Sequence, residues 1–159
     1  MTAAEYQASR RVTTCMRKIQ VAAPTDAPRT AVWAVLADFP NISTWNSGVK
    51  ASVDTGNGTV GLGAQRHCDV APVGGLEETI TSWEPNEQLV VNIDSATKLP
   101  ISRGEATFTL GDGTTTIDYA YEPKGLIGKL TAPLLDRQLK KGFEGFLNDL
   151  DKAAQQQPA

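Results

Sequence analysis

PLLDRQLKKGFEGFLNDL, residues 133–150, is the stretch on which the fold turns. Leu135, Leu139, Phe143, Phe146 and Leu150 recur at steps of three and four, the spacing of one helix face. Asp136, Lys140, Glu144 and Lys152 fall elsewhere on the helix, and Asp136 with Lys140 forms a favourable i,i+4 pair. About 20 residues of helix span about 30 Å, enough to cross a sheet. Pro133 leaves two readings, a helix that kinks there or one that begins there with Thr131 as its cap; the second is preferred, since proline is tolerated in a first turn. Gly142 and Gly145 each cost about 1 kcal/mol against alanine, so a close backbone approach or a bend is expected there.

Upstream the pattern changes from helical to alternating. Val49, Ala51 and Val53 open a run of six strands: 49–54, 64–70, 76–83, 88–95, 103–110 and 114–122. Asn57-Gly58, Pro72 to Gly75, Glu84 to Asn86 and Gly111 to Gly113 separate them. Strands at intervals of roughly 12 residues, joined by turns, make an antiparallel meander. A first strand is read over Val12–Val21 and a short helix over residues 30–39, capped by Thr25 or Asp26 and stopped by Pro40. One more helical turn fits Asn41–Trp45.

One antiparallel sheet with an apolar face needs a cover, and the C-terminal helix is the only element long enough to supply it. A twisted six-strand meander curves, and a helix lying in it leaves space unless large side chains fill the gap. Ala64, Cys68, Ser82, Gly104 and Ala106 are read as inward-facing and small, and aromatic residues are only 6% of the chain, which favours a cavity.

The 159 residues suit one domain, and a chain of that length buries roughly 70% of its unfolded surface without help from disulfides or metal. Fifteen basic against eighteen acidic residues, net −3, argue against binding nucleic acid through its phosphates. No apolar run reaches the roughly 20 residues of a membrane span, so stable membrane insertion is not expected. MTAAEYQASRRV lacks the apolar core of a secretory leader, which predicts a cytoplasmic protein. Residues 1–11 and 155–159 read as flexible tails around a single domain over 12–154.

The stretch VAAPTDAPRTAVWAVLADFPNISTWNSGV, followed by GLGAQRHC, EETITSWEPNEQLVV and LLDRQLKKGFEGFLNDL, resembles the START-like or Bet v 1-like superfamily. Within it the likeness is to the bacterial polyketide cyclase/dehydrase and lipid-transport (SRPBCC) group, over roughly Lys18 to Ala154. The resemblance implies an α+β helix-grip: a curved seven-stranded antiparallel sheet wrapped around a long C-terminal helix, with two short helices after strand one. It also implies an apolar tunnel for small hydrophobic ligands. It does not imply one activity, because the superfamily mixes carriers, sensors and cyclases.

Several motifs are weighed against that frame. Gly56 to Gly61 matches a dinucleotide fingerprint in letters, but strand residues follow where a helix is required, so it reads as a hairpin loop. His67 is the only histidine, and alternation puts it opposite Arg66 and Cys68, on the solvent side. No cofactor or metal is expected: His67 and Asp69 alone make no metal site, and no GxSxG elbow is present.

Arg66 shares parity with Ala64 and Cys68, and Glu78 with Leu76 and Ile80, so both charges are placed on the concave face of neighbouring strands. Two readings stand: a pair that anchors a ligand's polar head or biases proton transfer, or a structural ion pair at the cavity rim. For Tyr119 and Tyr121, on the Ile117 face, two readings stand: rings that line the cavity with their hydroxyls as handles, or ordinary core packing. Leu139, Phe143 and Phe146 would form the opposite wall, with Cys68, Ile80, Val91 and Phe108 completing the sheet side. Trp33 and Trp45 read as packing between the short helices and the sheet. The glycine-flanked segment Gly125–Leu130 suits a flexible mouth, Val73 and Leu99 also lie in turns, and some of these residues are expected to form an entrance.

The function expected is binding of a small hydrophobic or amphipathic ligand, lipid or polyketide-like. The alternatives are a cyclase/dehydratase on the same scaffold, with catalytic residues unassigned, and an interaction module with a collapsed cavity. Oligomeric state is not legible in the sequence.

Overall fold

A computed structural model describes residues 16–94 and 98–158. The strands are β1 Arg17–Pro24, β2 Val49–Asp54, β3 Gln65–Val70, β4 Gly74–Glu84, β5 Gln88–Ile93, β6 Ile101–Leu110 and β7 Thr114–Pro123. They form one antiparallel sheet in the order β1-β7-β6-β5-β4-β3-β2, a meander whose last strand pairs back onto the first. Helix α1 spans Arg29–Ala37, a 3-10 helix follows over Phe39–Thr44, and α2 spans Gly125–Gln155. The arrangement is the α+β helix-grip, with α2 packed on β1, β7 and α1.

Most element bounds fall within two residues of where the patterns place them, α1 ending at Ala37 with Pro40 inside the 3-10 helix that follows, and four larger differences stand out. The described part of the first strand runs on to Pro24 rather than ending at Val21; residues 12–15, like the tail expected over 1–11, lie outside the described residues. β1 is an edge strand, where a missing proline N–H costs little. Neither Thr25 nor Asp26 caps α1, whose N-cap is Pro28. Thr25 instead shares a hydroxyl contact with Thr115 at 2.9 Å, and Asp151 of α2 accepts the backbone N–H groups of Asp26 and Ala27.

The third difference is the start of α2. It begins at Gly125, so Pro133 is interior and Thr131 is no cap; its hydroxyl donates back to the Ile127 carbonyl at 2.7 Å. Pro133 and Lys129 are both exposed, so the carbonyl that proline leaves without a helical partner faces water. The fourth is Ser82. A bulge between Ile80 and Ser82 shifts the register against β5, which sets Trp83 rather than Ser82 opposite the buried Leu89. Trp83 then meets Trp33 edge to face, with ring centroids 4.8 Å apart.

A Cβ at Gly142 or Gly145 would meet nothing within 4 Å, so no close approach explains either glycine. Gly145→Ala is therefore expected to stabilise the protein by about 1 kcal/mol in urea denaturation, from helix propensity alone. A loss of stability would mean that the helix needs the glycine there.

Candidate functional site

Alternation along β3, β4, β6 and β7 sends Arg66, Cys68, Glu78, Ala106, Phe108 and Tyr119 to one face. α2 crosses above them. Its Leu147, Leu150 and Ala154 are buried, but Leu139, Phe143 and Phe146, on the same stripe, stay half-exposed. What they face is a cavity of about 520 Å³ between helix and sheet.

Of the residues singled out in the sequence, Arg66, Cys68, Glu78, Phe108, Tyr119, Leu139, Phe143 and Phe146 line this space. Ile80, Val91 and Tyr121 do not. Ile80 and Val91, each 1% exposed, belong to the core with Trp33 and Leu36, because α1 fills that end of the concave face. Tyr121 is turned to the base of α2, where its hydroxyl donates to Asp136 at 2.5 Å. Burial, then the bond to Asp136, pushes that phenol up to about 12. Asp136 is held below the usual carboxylate range, chiefly by hydrogen bonds from Arg17.

Sequence reading missed other lining residues. Leu76 and Ile93 share a face with Glu78 and Val91, and Leu135 precedes Leu139 by one turn, so parity and spacing contained them. Asn46 had no such signal. It sits in the loop before β2, is buried, and accepts the Gly48 N–H at 2.9 Å.

The polar wall centres on Arg66 and Glu78, direct partners in the β3–β4 register. The guanidinium Nε donates to Glu78 Oε2 at 2.6 Å and Nη1 donates to the Phe39 carbonyl at 2.7 Å, while the group stacks 3.8 Å above the Phe39 ring. Both side chains are more than nine-tenths buried. Nη2 donates no hydrogen bond among the described residues, and Arg66 is part of the cavity wall. Tyr119 stacks on Tyr121 and leans on Phe143, and its hydroxyl also lacks a hydrogen-bond partner among the described residues. Burial, then the negative charge of Glu78, raises the Tyr119 phenol, so it stays a proton donor across ordinary pH. Burial likewise raises the Cys68 thiol, which rules out a standing thiolate nucleophile.

Of the residues offered for the entrance, only some reach the cavity. Val73 and Leu99 do line the cavity, beside Pro72 after the cis Ala71–Pro72 bond. Gly125–Leu130 does not; it is the first part of α2. The Lys98 N–H donates to the Val73 carbonyl at 3.0 Å and the Lys124 N–H to the Pro100 carbonyl at 2.6 Å, so the loops and the helix start are tied together. Gln138, Lys141 and Gly142 complete the rim from α2.

The remaining motifs fall outside. Gly56 to Gly61 is a loop in which Asp54 accepts the N–H groups of Gly56 and Gly58 at 2.7 Å each. Among the described residues no three His, Cys, Asp or Glu side chains come together as a metal site. His67 lies on the other face between Glu77 and Asp69. The hydrogen bond to Glu77, then that to Asp69, raises its pKa. Its folded value therefore exceeds the unfolded one, near 6.5. The pairing stabilises fully below that pH and fades as pH rises through the folded value. The stability margin of wild type over His67→Asn should shrink along that rise in urea titrations; a margin that grows would reverse the assignment.

A family model described as polyketide cyclase / dehydrase and lipid transport matches residues 16–155. No curated protein matches the sequence. Among solved structures, a START superfamily protein from Mycobacterium smegmatis superposes with a TM-score of 0.68 at 17% identity, over 87% of this chain and 97% of that one. The Zhui aromatase/cyclase from Streptomyces sp. R1128 gives 0.70 at 15% identity, over 88% and 94%. The di-domain ARO/CYC BexL gives 0.75 at 12% identity, over 92% of this chain and 52% of that one. At such identities the likeness shows the shared fold.

Proposed function

We propose, for a chain that belongs to the polyketide cyclase / dehydrase and lipid transport family, that its cavity binds one small amphipathic molecule, lipid or polyketide-like. The carrying observation is an apolar space of about 520 Å³ with a buried ion pair in its wall. That volume falls within the range of about 300–1,000 Å³ typical of ligand pockets. It also counts against a collapsed cavity serving only as an interaction module. The apolar body lies against Phe108, Leu139, Phe143 and Phe146, while Arg66 Nη2 and the Tyr119 hydroxyl hold the polar end.

Titration with parinaric acid, a fluorescent fatty acid, tests this directly. The expected result is saturable uptake at one molecule per chain, lost in Ala106→Phe, which fills the space from the sheet side. Uptake unchanged in a folded Ala106→Phe protein would place the ligand elsewhere.

A cyclase/dehydratase is the second reading, favoured by the unpartnered Tyr119 hydroxyl on the wall it shares with Glu78. In that reaction Glu78 accepts a proton from a methylene flanked by carbonyls. The carbanion forms the ring bond to a second carbonyl carbon, whose oxygen takes a proton from Tyr119; in the dehydration the Tyr119 phenolate takes the remaining proton of the former methylene carbon and protonated Glu78 gives its proton to the departing hydroxyl, so water leaves and both residues are restored. Confinement folds the chain so that the two carbons meet. Glu78→Gln and Tyr119→Phe should then abolish turnover of a poly-β-ketone analogue while parinaric uptake falls by no more than a few-fold, the loss of one hydrogen bond to the acid in Tyr119→Phe. Full turnover in both variants would remove these two residues from the chemistry.

A further inference from the structure

The first turns of α2 carry an unpartnered apolar face. Leu126, Ile127 and Leu130 are 72%, 72% and 73% exposed, and Leu134 is 58% exposed. At 100° per residue these four fall within one sector of about 100°. Arg137 and Lys141 continue the same sector toward the helix middle, and Lys129 and Lys140 flank it, all exposed. Lys124 stands just before the helix. Residues 124–141 thus hold five basic side chains against one acidic, Asp136, in a chain of net charge −3. Asp136 is already engaged by Arg17 and Tyr121. Lys124, Lys129, Arg137 and Lys141 make no ion pair among the described residues.

Protruding aliphatics framed by unpaired cations match the layers of an anionic bilayer, with hydrocarbon beneath phosphate. They match a second copy of this chain poorly, since stacking two such faces brings like charges together. The face also leads to the site: Gln138 and Lys141, one and two turns beyond Leu134, form the cavity rim. We propose that this face docks peripherally on membranes containing anionic lipid, holding the mouth against the lipid surface. No helix among the described residues is long and apolar enough to cross a membrane, so the contact is superficial. Docking is argued from exposure and charge; its use for loading and unloading the cavity rests on the binding reading above.

The test is co-sedimentation of the full chain with vesicles of phosphatidylcholine alone or with added phosphatidylglycerol. Binding is expected only with phosphatidylglycerol, and it should weaken as salt rises. Leu126→Gln/Leu130→Gln should weaken it about tenfold or more, and each of Lys129→Ser and Lys141→Ser about fivefold. All four positions are exposed, and circular dichroism checks the fold. No binding, equal binding to phosphatidylcholine, or binding unmoved by these variants overturns the proposal. A dimer in solution that Leu126→Gln/Leu130→Gln dissolves would assign the face to a second copy and overturn it too. Vesicle binding without parinaric uptake leaves docking standing and removes the carrier role, whereas uptake without vesicle binding does the reverse.

Discussion

Replacing Arg66 by methionine should lower stability by about 3–5 kcal/mol at neutral pH, because it leaves the Glu78 carboxylate buried with no counter-charge. The variant also strips the Phe39 carbonyl of its donor at 2.7 Å and the Phe39 ring of the cation above it. For a domain of this size a loss that large lowers the melting temperature by roughly 10 °C or more. The double variant Arg66→Met/Glu78→Leu should recover most of the loss, since well-packed apolar residues often replace a buried pair at little net cost. Thermal and urea denaturation of the four proteins in the cycle measure this. A single variant as stable as wild type would mean that water reaches Glu78 freely.

The same cycle separates the two roles the sequence leaves open for this pair. A merely structural ion pair predicts that the stable double variant takes up parinaric acid as wild type does. An anchor predicts that it takes up the acid at least about tenfold more weakly, having lost a charge-assisted hydrogen bond, while an uncharged analogue such as the alcohol binds equally well.

Parity is what made the polar wall legible before any coordinates. Arg66 opposite Glu78 follows from alternation plus one hairpin register, and a slip of one residue would have put both outside. Helical spacing did the same for Leu139, Phe143 and Phe146. Alternation tells a face but not a depth along the strand. Ile80 and Val91 point inward as read, yet lie where α1 closes the concave surface, and only the packing of Val32, Trp33 and Leu36 reveals that. Tyr121 takes the core-packing alternative at the other end, where it meets Asp136. Bulges are a second blind spot: the extra residue near Thr81 turns Ser82 out and Trp83 in, and nothing in the letters marks it. Between the two readings of Pro133 the letters do not decide, because the clash and lost hydrogen bond that disfavour proline inside a helix can be absorbed at an exposed turn, and α2 runs through it.

Gly104 carries the second large effect, and it acts through Tyr119. A Cβ built on Gly104 would stand 2.2 Å from the Tyr119 hydroxyl oxygen and 2.6 and 2.8 Å from two of its ring carbons. The ring lies flat across the glycine because no side chain is there, and this sets the direction in which its hydroxyl meets the cavity. In Gly104→Ala the ring must swing away, and the open side is the cavity, since Tyr121 and Phe143 already flank it at 5.7 and 5.2 Å. Overpacking of this kind costs about 1–3 kcal/mol. The swung ring should also cut parinaric uptake by about tenfold or more, by taking up space and withdrawing the polar handle. Tyr119→Leu alone should lose little uptake beyond that handle. In Gly104→Ala/Tyr119→Leu the clash is gone, so stability should return close to that of Tyr119→Leu. Two independent, additive losses in that cycle would mean that Gly104 is needed for its backbone and not for the room it gives the tyrosine.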